Sequence, residues 1–142
     1  MDATLKPLKP LLGKWEFTGS FKDDKNKKVK GWESYELSND GKTIAEAWEV
    51  FTIWPDREEV NRGKMKIRYD DTKKAFLASA KNDGPDYTIS VKNDGLVIEN
   101  ETYRFTGKFS DDSNTIKGKW EEADGKGGWD YWYDKVLHKV EA

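Results

Sequence analysis

Short segments in which apolar and polar residues alternate make up most of this chain. In the first of them Trp15, Phe17 and Phe21 lie on one face, whereas Lys14 and Glu16 lie on the other. The same alternation recurs in four later stripes of inward residues: Met65, Ile67 and Tyr69; Tyr87, Ile89 and Val91; Tyr103, Phe105, Gly107 and Phe109; and Ile116, Gly118 and Trp120. A period of two is typical of a β-strand with one buried face. The pattern therefore predicts an all-β protein.

Clusters of Asp, Asn and Gly, which favour tight turns, separate these segments. Asn-Asp-Gly, a sequence typical of hairpins, occurs at 39–41, 82–84 and 93–95. Nine or ten strands are expected, because no turn residue separates the seventh from the eighth: 14–22, 29–37, 43–53, 63–70, 75–81, 86–92, 95–101, 102–109, 115–122 and 128–140. Strands joined by short hairpins indicate an antiparallel up-and-down β-barrel, whose closure leaves no unpaired edge.

Two segments are expected to form helix instead of strand. Near the N-terminus, leucines with helical spacing would cover one end of the barrel as a short helical turn, and two prolines exclude a longer helix: Leu5, Leu8, Leu11 and Leu12, with Pro7 and Pro10. A second short helix is predicted after Trp54, because Pro55 suits the first helical position and acidic residues follow it. The segment from Trp54 to Arg62 would then form a lid.

One phrase of sixteen residues occurs twice, at 18–33 and at 106–121, with half of its positions identical. Each copy predicts a hairpin, in which an aromatic strand, an Asp-Asp-x-Asn turn and a strand with Gly and Trp follow one another. The Asp pairs lack the alternating oxygen ligands and the closing glutamate of a calcium loop, so turn formation is expected. The inward glycines, Gly19 and Gly107, predict a bend or a close approach of two strands.

Composition narrows the class of protein further. The 142 residues are expected to form a single domain over 1–142. Seven Trp and 13% aromatic residues suit a sheet whose core consists of large side chains. Charged residues reach 37% but the formal net charge is only −2, which argues against nucleic-acid binding. The absence of cysteine excludes disulfides and thiolate chemistry.

Location and assembly follow from other features. No apolar run is long enough to span a bilayer and the N-terminus has no secretory apolar core, so we expect a cytoplasmic protein without a membrane partner. The run 128–133 is aromatic on both faces. One face would line the interior and the other would meet the N-terminal turn or a partner chain, which leaves a monomer or a homodimer as the expected state.

Gly13-Lys14-Trp15, at the start of the first strand, resembles the G-x-W opening of lipocalins and other calycins. Gly118-Lys119-Trp120 resembles the late G-x-W phrase of small lipocalin-like bacterial domains of unknown function. The resemblance implies a barrel whose interior holds a small apolar ligand. It also implies that the first Trp packs at the barrel base beneath an Arg from the last strand. This chain departs from that pattern, because its last strand carries Lys135 and Lys139 instead.

Glutamates supply the candidate polar groups of such an interior. Glu33 shares a face with Tyr35, and one of Glu46 or Glu49 is expected to point inward unless a bulge intervenes. An inward carboxylate needs a charged or hydrogen-bonding partner, for which Arg68, Arg104 and tyrosine hydroxyls, including that of Tyr103, are candidates. The predicted ligand contacts are Glu33, Tyr35, Glu46, Trp48, Arg68, Tyr69, Arg104, Trp120, Tyr131 and Tyr133, with Trp15 and Phe17 as further walls.

His138, the single histidine, invites a comparison with nitrobindins, which are calycin-like barrels that bind haem through a C-terminal histidine. The dense glycines of the nitrobindin opening are missing here, because Phe17 and Thr18 separate Glu16 from Gly19. We expect an ordinary packed or exposed strand histidine, and neither haem nor another cofactor.

Three functions are compatible with these patterns. The leading prediction is non-catalytic binding of a small, mostly apolar molecule inside the barrel. An alternative is an enzyme of isomerase or cyclase type that uses a buried Glu as acid or base. The third is a barrel filled by its own aromatic side chains, which would serve as a structural or interaction module. Common phosphate-loop, zinc-hydrolase and serine-hydrolase motifs are absent from the sequence.

Overall fold

Ten antiparallel strands close into a barrel in the computed structural model, which describes residues 1–80 and 86–140. A 3₁₀ helix, Ala3–Leu11, precedes them. The strands, numbered along the chain, are β1 (Gly13–Ser20), β2 (Lys28–Leu37), β3 (Ile44–Ile53), β4 (Glu58–Asp70), β5 (Ala75–Ser79), β6 (Tyr87–Lys92), β7 (Gly95–Glu99), β8 (Tyr103–Phe109), β9 (Thr115–Ala123) and β10 (Trp129–Val140). The predicted all-β, up-and-down barrel is confirmed, with the higher of the two strand counts.

Each strand pairs with its neighbours in the chain, and β1 pairs with β10 to close the sheet. The strand bounds lie within about two residues of the predicted ones, except for β4. The end of the fifth predicted strand, at residue 81, and the turn signal at 82–84 lie outside the described residues.

The predicted lid helix after Trp54 is wrong. Trp54 donates a backbone hydrogen bond to the Arg57 carbonyl oxygen at 2.9 Å, which closes a tight turn. From Glu58 onward the chain is strand, with Ile53 and Glu58 as the first pair of β3 and β4. Proline and acidic residues are common both at helix starts and in turns. Pairing with β3 decides between the two.

The 3₁₀ helix and Trp15 close one end of the barrel. The helix buries Leu5, Leu8 and Leu11 completely. The fully buried Trp15 indole donates its Nε1 hydrogen to the Leu11 carbonyl oxygen at 2.9 Å, which ties the helix to β1. Lys139 lies over the same ring, with its Nζ 4.9 Å from the ring centroid. A lysine of the last strand therefore covers Trp15.

Gly19 allows β1 and β10 to approach closely at the other end of their pairing. A Cβ atom at this position would lie 2.0 Å from the Asp134 carbonyl oxygen, closer than any real contact. The expected role of this glycine as a point of close approach is confirmed. Both copies of the repeat also form their turns, since Asp24 and Asp112 each accept a hydrogen bond from the backbone N–H two residues later.

Replacing Trp15 with phenylalanine tests the closed end. We expect Trp15→Phe to lower the free energy of unfolding by about 2–4 kcal/mol, because it opens a cavity and leaves the buried Leu11 carbonyl oxygen without a donor. Urea unfolding followed by far-UV circular dichroism measures the loss.

Trp32→Phe is the matched control, since Trp32 lies half-buried on the outer face of β2 beneath Lys14. It should cost less than about 1 kcal/mol. Equal losses in the two variants would show that the contact between Trp15 and the helix does not hold this end together.

Candidate ligand-binding site

A cavity of about 360 Å³ lies inside the barrel. Most of its lining is aromatic or aliphatic, supplied by side chains that point inward from strands all around the sheet. The aromatic members are Phe21, Tyr35, Trp48, Tyr87, Tyr103, Phe105, Trp120, Trp132 and Tyr133. A volume of this size falls in the range typical of small-molecule sites. The aromatic side chains of this barrel therefore do not fill it.

A buried ion pair is one polar feature of the lining. The Lys135 Nζ donates to Glu33 Oε2 at 2.8 Å, and the two side chains are only 8% and 12% exposed. The Tyr35 hydroxyl donates to the other carboxylate oxygen, Oε1, at 3.0 Å. Lys135 also lies over the Phe17 ring, with its Nζ 4.0 Å from the centroid. One carboxylate, one ammonium group and one hydroxyl thus satisfy one another inside the barrel, as burial of charge requires.

Glu46 is the second inward carboxyl group, opposite Tyr35 in the pairing of β2 with β3. Loss of hydration raises its pKa to about 8, with a further contribution from the negative charge of Glu33, while Lys135 acts in the opposite direction. Within residues 1–80 and 86–140 its carboxyl oxygens have no hydrogen-bond partner. At pH 7 Glu46 therefore carries a proton and faces the cavity as a neutral acid.

Protonation of Glu46 links stability to pH. Its folded pKa, about 8, lies above the ordinary value of 4.5. The contribution of the protonated Glu46 side chain to the free energy of unfolding is therefore complete below pH 4.5. It is lost progressively as the pH rises from 4.5 through 8. Burial also raises the pKa of Tyr35 and of Tyr133 well above the ordinary phenol value, so both hydroxyl groups in the lining stay neutral.

Six of the ten predicted ligand contacts line the cavity. They are Glu33, Tyr35, Glu46, Trp48, Trp120 and Tyr133. Glu49, the alternative to Glu46, points outward and pairs with Arg62. The alternation of β2 and β3 thus places both inward glutamates on one wall of the cavity, and their contact with a ligand stays a prediction.

The two predicted arginine partners do not face the cavity. Arg68 lies on the outer face of β4 beside Asp70. Arg104 lies outside on β8, where its guanidinium group binds Glu121 at 3.0 Å and stacks on the Trp129 ring. Each arginine follows an inward residue of its strand by one position, so the alternation turns it outward. Among the described residues, the cation that lines the cavity is Lys135 instead.

The remaining predicted contacts lie elsewhere. Tyr69 packs edge-on against Phe76 in the core, away from the cavity lining. Tyr131 points outward, where its hydroxyl donates to Asp134 at 3.3 Å. Trp15 and Phe17, predicted as walls, are buried beyond the lining, at the barrel base and under Lys135.

Sequence reasoning missed Trp132, which an irregularity of β10 turns inward. The register shifts between Tyr131 and Tyr133, because Tyr131 pairs with Glu121 whereas Tyr133 pairs with Trp120. This β-bulge inserts Trp132, so that two successive aromatic residues line the cavity. Alternation alone carries no signal of a bulge. Alternation does predict that Lys135 points inward, because Lys135 is two residues before the buried Leu137 on the same strand.

Other classes of site have little support in the described part of the chain. Residues 1–80 and 86–140 contain no group of three or more His, Asp or Glu side chains placed to hold a metal ion. His138 is exposed on the outside of β10, with Nδ1 3.5 Å from the Thr115 hydroxyl. The helix in these residues is too short to cross a bilayer. The cytoplasmic location stays a prediction.

Comparison with known proteins identifies the fold but not a family. No family model and no curated protein matches the sequence. Rv2717c from M. tuberculosis has a similar structure, with a TM-score of 0.61 and 11% identity over 99% of both chains. The S-type phycobiliprotein lyase CPES from Guillardia theta also has a TM-score of 0.61 and 11% identity, over 95% of this chain and 91% of the lyase. At this identity both structures share the barrel fold alone with this chain.

Replacing Lys135 with methionine tests the internal ion pair. We expect Lys135→Met to lower the free energy of unfolding at pH 7 by roughly 3–5 kcal/mol, because Glu33 would stay buried without its cation. Adding Glu33→Gln to the same chain should restore a large part of that loss. Urea unfolding of the single and the double variant provides the comparison.

Lys108→Met is the control, because Lys108 forms an exposed ion pair with Asp94 at 3.5 Å. Its loss should stay below about 1 kcal/mol. A loss for Lys135→Met as small as that of Lys108→Met would contradict the role given to the internal pair.

Proposed function

We propose that this protein binds one small, largely apolar molecule inside its barrel, with Glu33, Glu46 and Lys135 orienting the polar part of that molecule. The observation that carries the proposal is the cavity of about 360 Å³, which combines aromatic walls with a small group of ionisable side chains. Apolar walls give a ligand affinity through the removal of water, and a few placed polar groups give it orientation.

The proposal includes a lipocalin-like relationship for this chain. It is supported by the position of Trp15 at the closed end of the barrel and by the cation above it, which matches the calycin arrangement except that Lys139 takes the place of arginine. Trp15 packs at the closed end and does not line the cavity, so the interior is left for a ligand.

An enzymatic role is the second candidate, and the state of Glu46 favours it. A half-buried carboxylic acid with a pKa of about 8 holds its proton at neutral pH and can donate it or accept it back inside the cavity. An isomerisation that proceeds by proton transfer can use such a group as its acid and base, and it needs no further reactant. A bound molecule recovered unaltered after prolonged incubation favours the binding role, and its conversion to an isomer of equal mass favours the enzyme.

Native mass spectrometry of the protein, purified without refolding from the cells that naturally produce it, tests the binding role. We expect a discrete added mass that leaves under mild activation, because the ligand is held without a covalent bond. Val50→Phe should remove the added mass, since Val50 lines the cavity and the larger ring takes up its space.

Ala47→Phe is the matched control, because Ala47 is on the same strand but faces outward and does not line the cavity. The added mass should persist in this variant. A bare mass in the natural protein, or an added mass that survives Val50→Phe, would contradict binding in the cavity.

A further inference from the structure

The proposed binding site contains more acidic than basic side chains. In the described part of the lining, these are two glutamates and one lysine: Glu33, Glu46 and Lys135. The lysine is already bound to Glu33 at 2.8 Å. Glu46 is therefore a carboxyl group without a cation, directed into a space large enough for a small molecule.

Lys135 demonstrates how this interior holds an ammonium group out of water. Its Nζ contacts a carboxylate oxygen of Glu33 and also lies 4.0 Å from the centroid of Phe17 and 5.9 Å from that of Phe105. A carboxylate supplies the opposite charge, and the ring faces supply the cation–π attraction that strengthens as water is removed. Together they replace the hydration shell of the ammonium group.

Glu46 is a second carboxyl group with aromatic rings around it, but Lys135 is bonded to Glu33, and no ammonium group of the described residues is bonded to Glu46. Nine aromatic side chains line the cavity into which it faces. Tyr87 is near enough that the charge of Glu46 raises its pKa, although burial has the larger effect. The Tyr87 and Trp120 rings meet edge-on at 6.4 Å, and the Trp120 ring packs against Phe105 at 5.5 Å. These rings are continuous with those that already accommodate Lys135.

We propose that the ligand of this cavity is a small organic ammonium ion, whose cationic head binds between Glu46 and the aromatic rings as Lys135 binds between Glu33 and Phe17. This inference rests on the proposed function and names its ligand class. When the cation enters, the O–H bond of the Glu46 carboxyl group breaks and the proton passes to solvent. The resulting carboxylate forms the ion pair with the ligand.

Other titratable groups do not obscure this proton release. The titratable groups that line the cavity with Glu46 are Glu33 and Tyr35 on β2, Tyr87 on β6, Tyr103 on β8, and Tyr133 and Lys135 on β10. β4 places the uncharged Met65 opposite Glu46. Burial raises the pKa values of Tyr35, Tyr87 and Tyr133, so these phenols stay neutral throughout the neutral pH range.

Calorimetric titration with benzyltrimethylammonium, a permanent cation with one aromatic ring, tests the inference. Neopentylbenzene, which has the same shape but no charge, is titrated as the control ligand. At pH 8 we expect the cation to bind more tightly than neopentylbenzene. The affinity for the cation should increase about tenfold for each unit by which the pH is raised toward 8, and it should level off above pH 8. Titrations at pH 7 in buffers of different protonation enthalpy should show close to one proton released per cation bound.

Glu46→Gln should bind the cation at least tenfold more weakly at pH 8 and without pH dependence. Glu49→Gln, which changes the same charge on the outer face of the same strand, should leave the affinity and the proton release unchanged. Thermal unfolding verifies that both variants are folded.

Equal or tighter binding of neopentylbenzene, a flat pH profile, or unchanged cation binding by Glu46→Gln would overturn the ammonium inference while leaving a binding cavity in place. Binding of neither probe would also overturn it, and the native mass measurement then decides separately whether the cavity holds a ligand of another class.

Discussion

A carboxylate inside a closed barrel must be matched by a cation or by a proton, and the interior of this protein is organised by that requirement. Closure of the sheet removes water from the inward residues, and an unmatched charge there costs several kcal/mol. Glu33 is matched by Lys135 at 2.8 Å. Glu46 is matched by a proton, which it keeps because loss of hydration and the charge of Glu33 raise its pKa to about 8. The two carboxyl groups lie on neighbouring strands and differ only in which partner is available.

Strand β10 supplies a cation at each of two levels of the barrel. Lys135 and Lys139 share the inward face of β10, and each covers an aromatic ring of β1, Phe17 and Trp15 respectively. At the closed end the Lys139 ammonium group donates to the Pro10 carbonyl oxygen at 3.2 Å, which helps to fix the 3₁₀ helix. At the cavity the Lys135 ammonium group donates a hydrogen bond to the Glu33 carboxylate. Closure of β1 on β10 therefore holds the base and the polar wall of the cavity at once.

Alternation in the sequence predicts most of this arrangement. It identifies nine or ten strands and predicts Glu33, Trp48 and Trp120 as lining residues, together with one of Glu46 or Glu49. The structure has ten strands, with Glu46 as the glutamate that faces inward. The same rule turns Arg68 and Arg104 outward, so their prediction as internal partners conflicted with the period of their own strands.

Features that depend on contacts between strands are not visible in the sequence. The bulge that turns Trp132 inward arises from pairing between β9 and β10, and the turn at Trp54 is decided by pairing between β3 and β4. The volume left between the aromatic side chains depends on strand tilt and stagger as well as on the residues. The cavity could therefore be expected as one alternative but not distinguished from a filled barrel.

The proton held by Glu46 at neutral pH, in a cavity open to a ligand, is the feature on which the proposed binding depends. A carbon-detected NMR titration of the glutamate side-chain carboxyl groups in the ligand-free protein, with Glu46 assigned by its absence from Glu46→Gln, measures it. We expect a midpoint near 8 for Glu46. A midpoint near the ordinary value of 4.5 would contradict it, since the carboxyl group would then be hydrated or paired and would need neither a proton nor a cation.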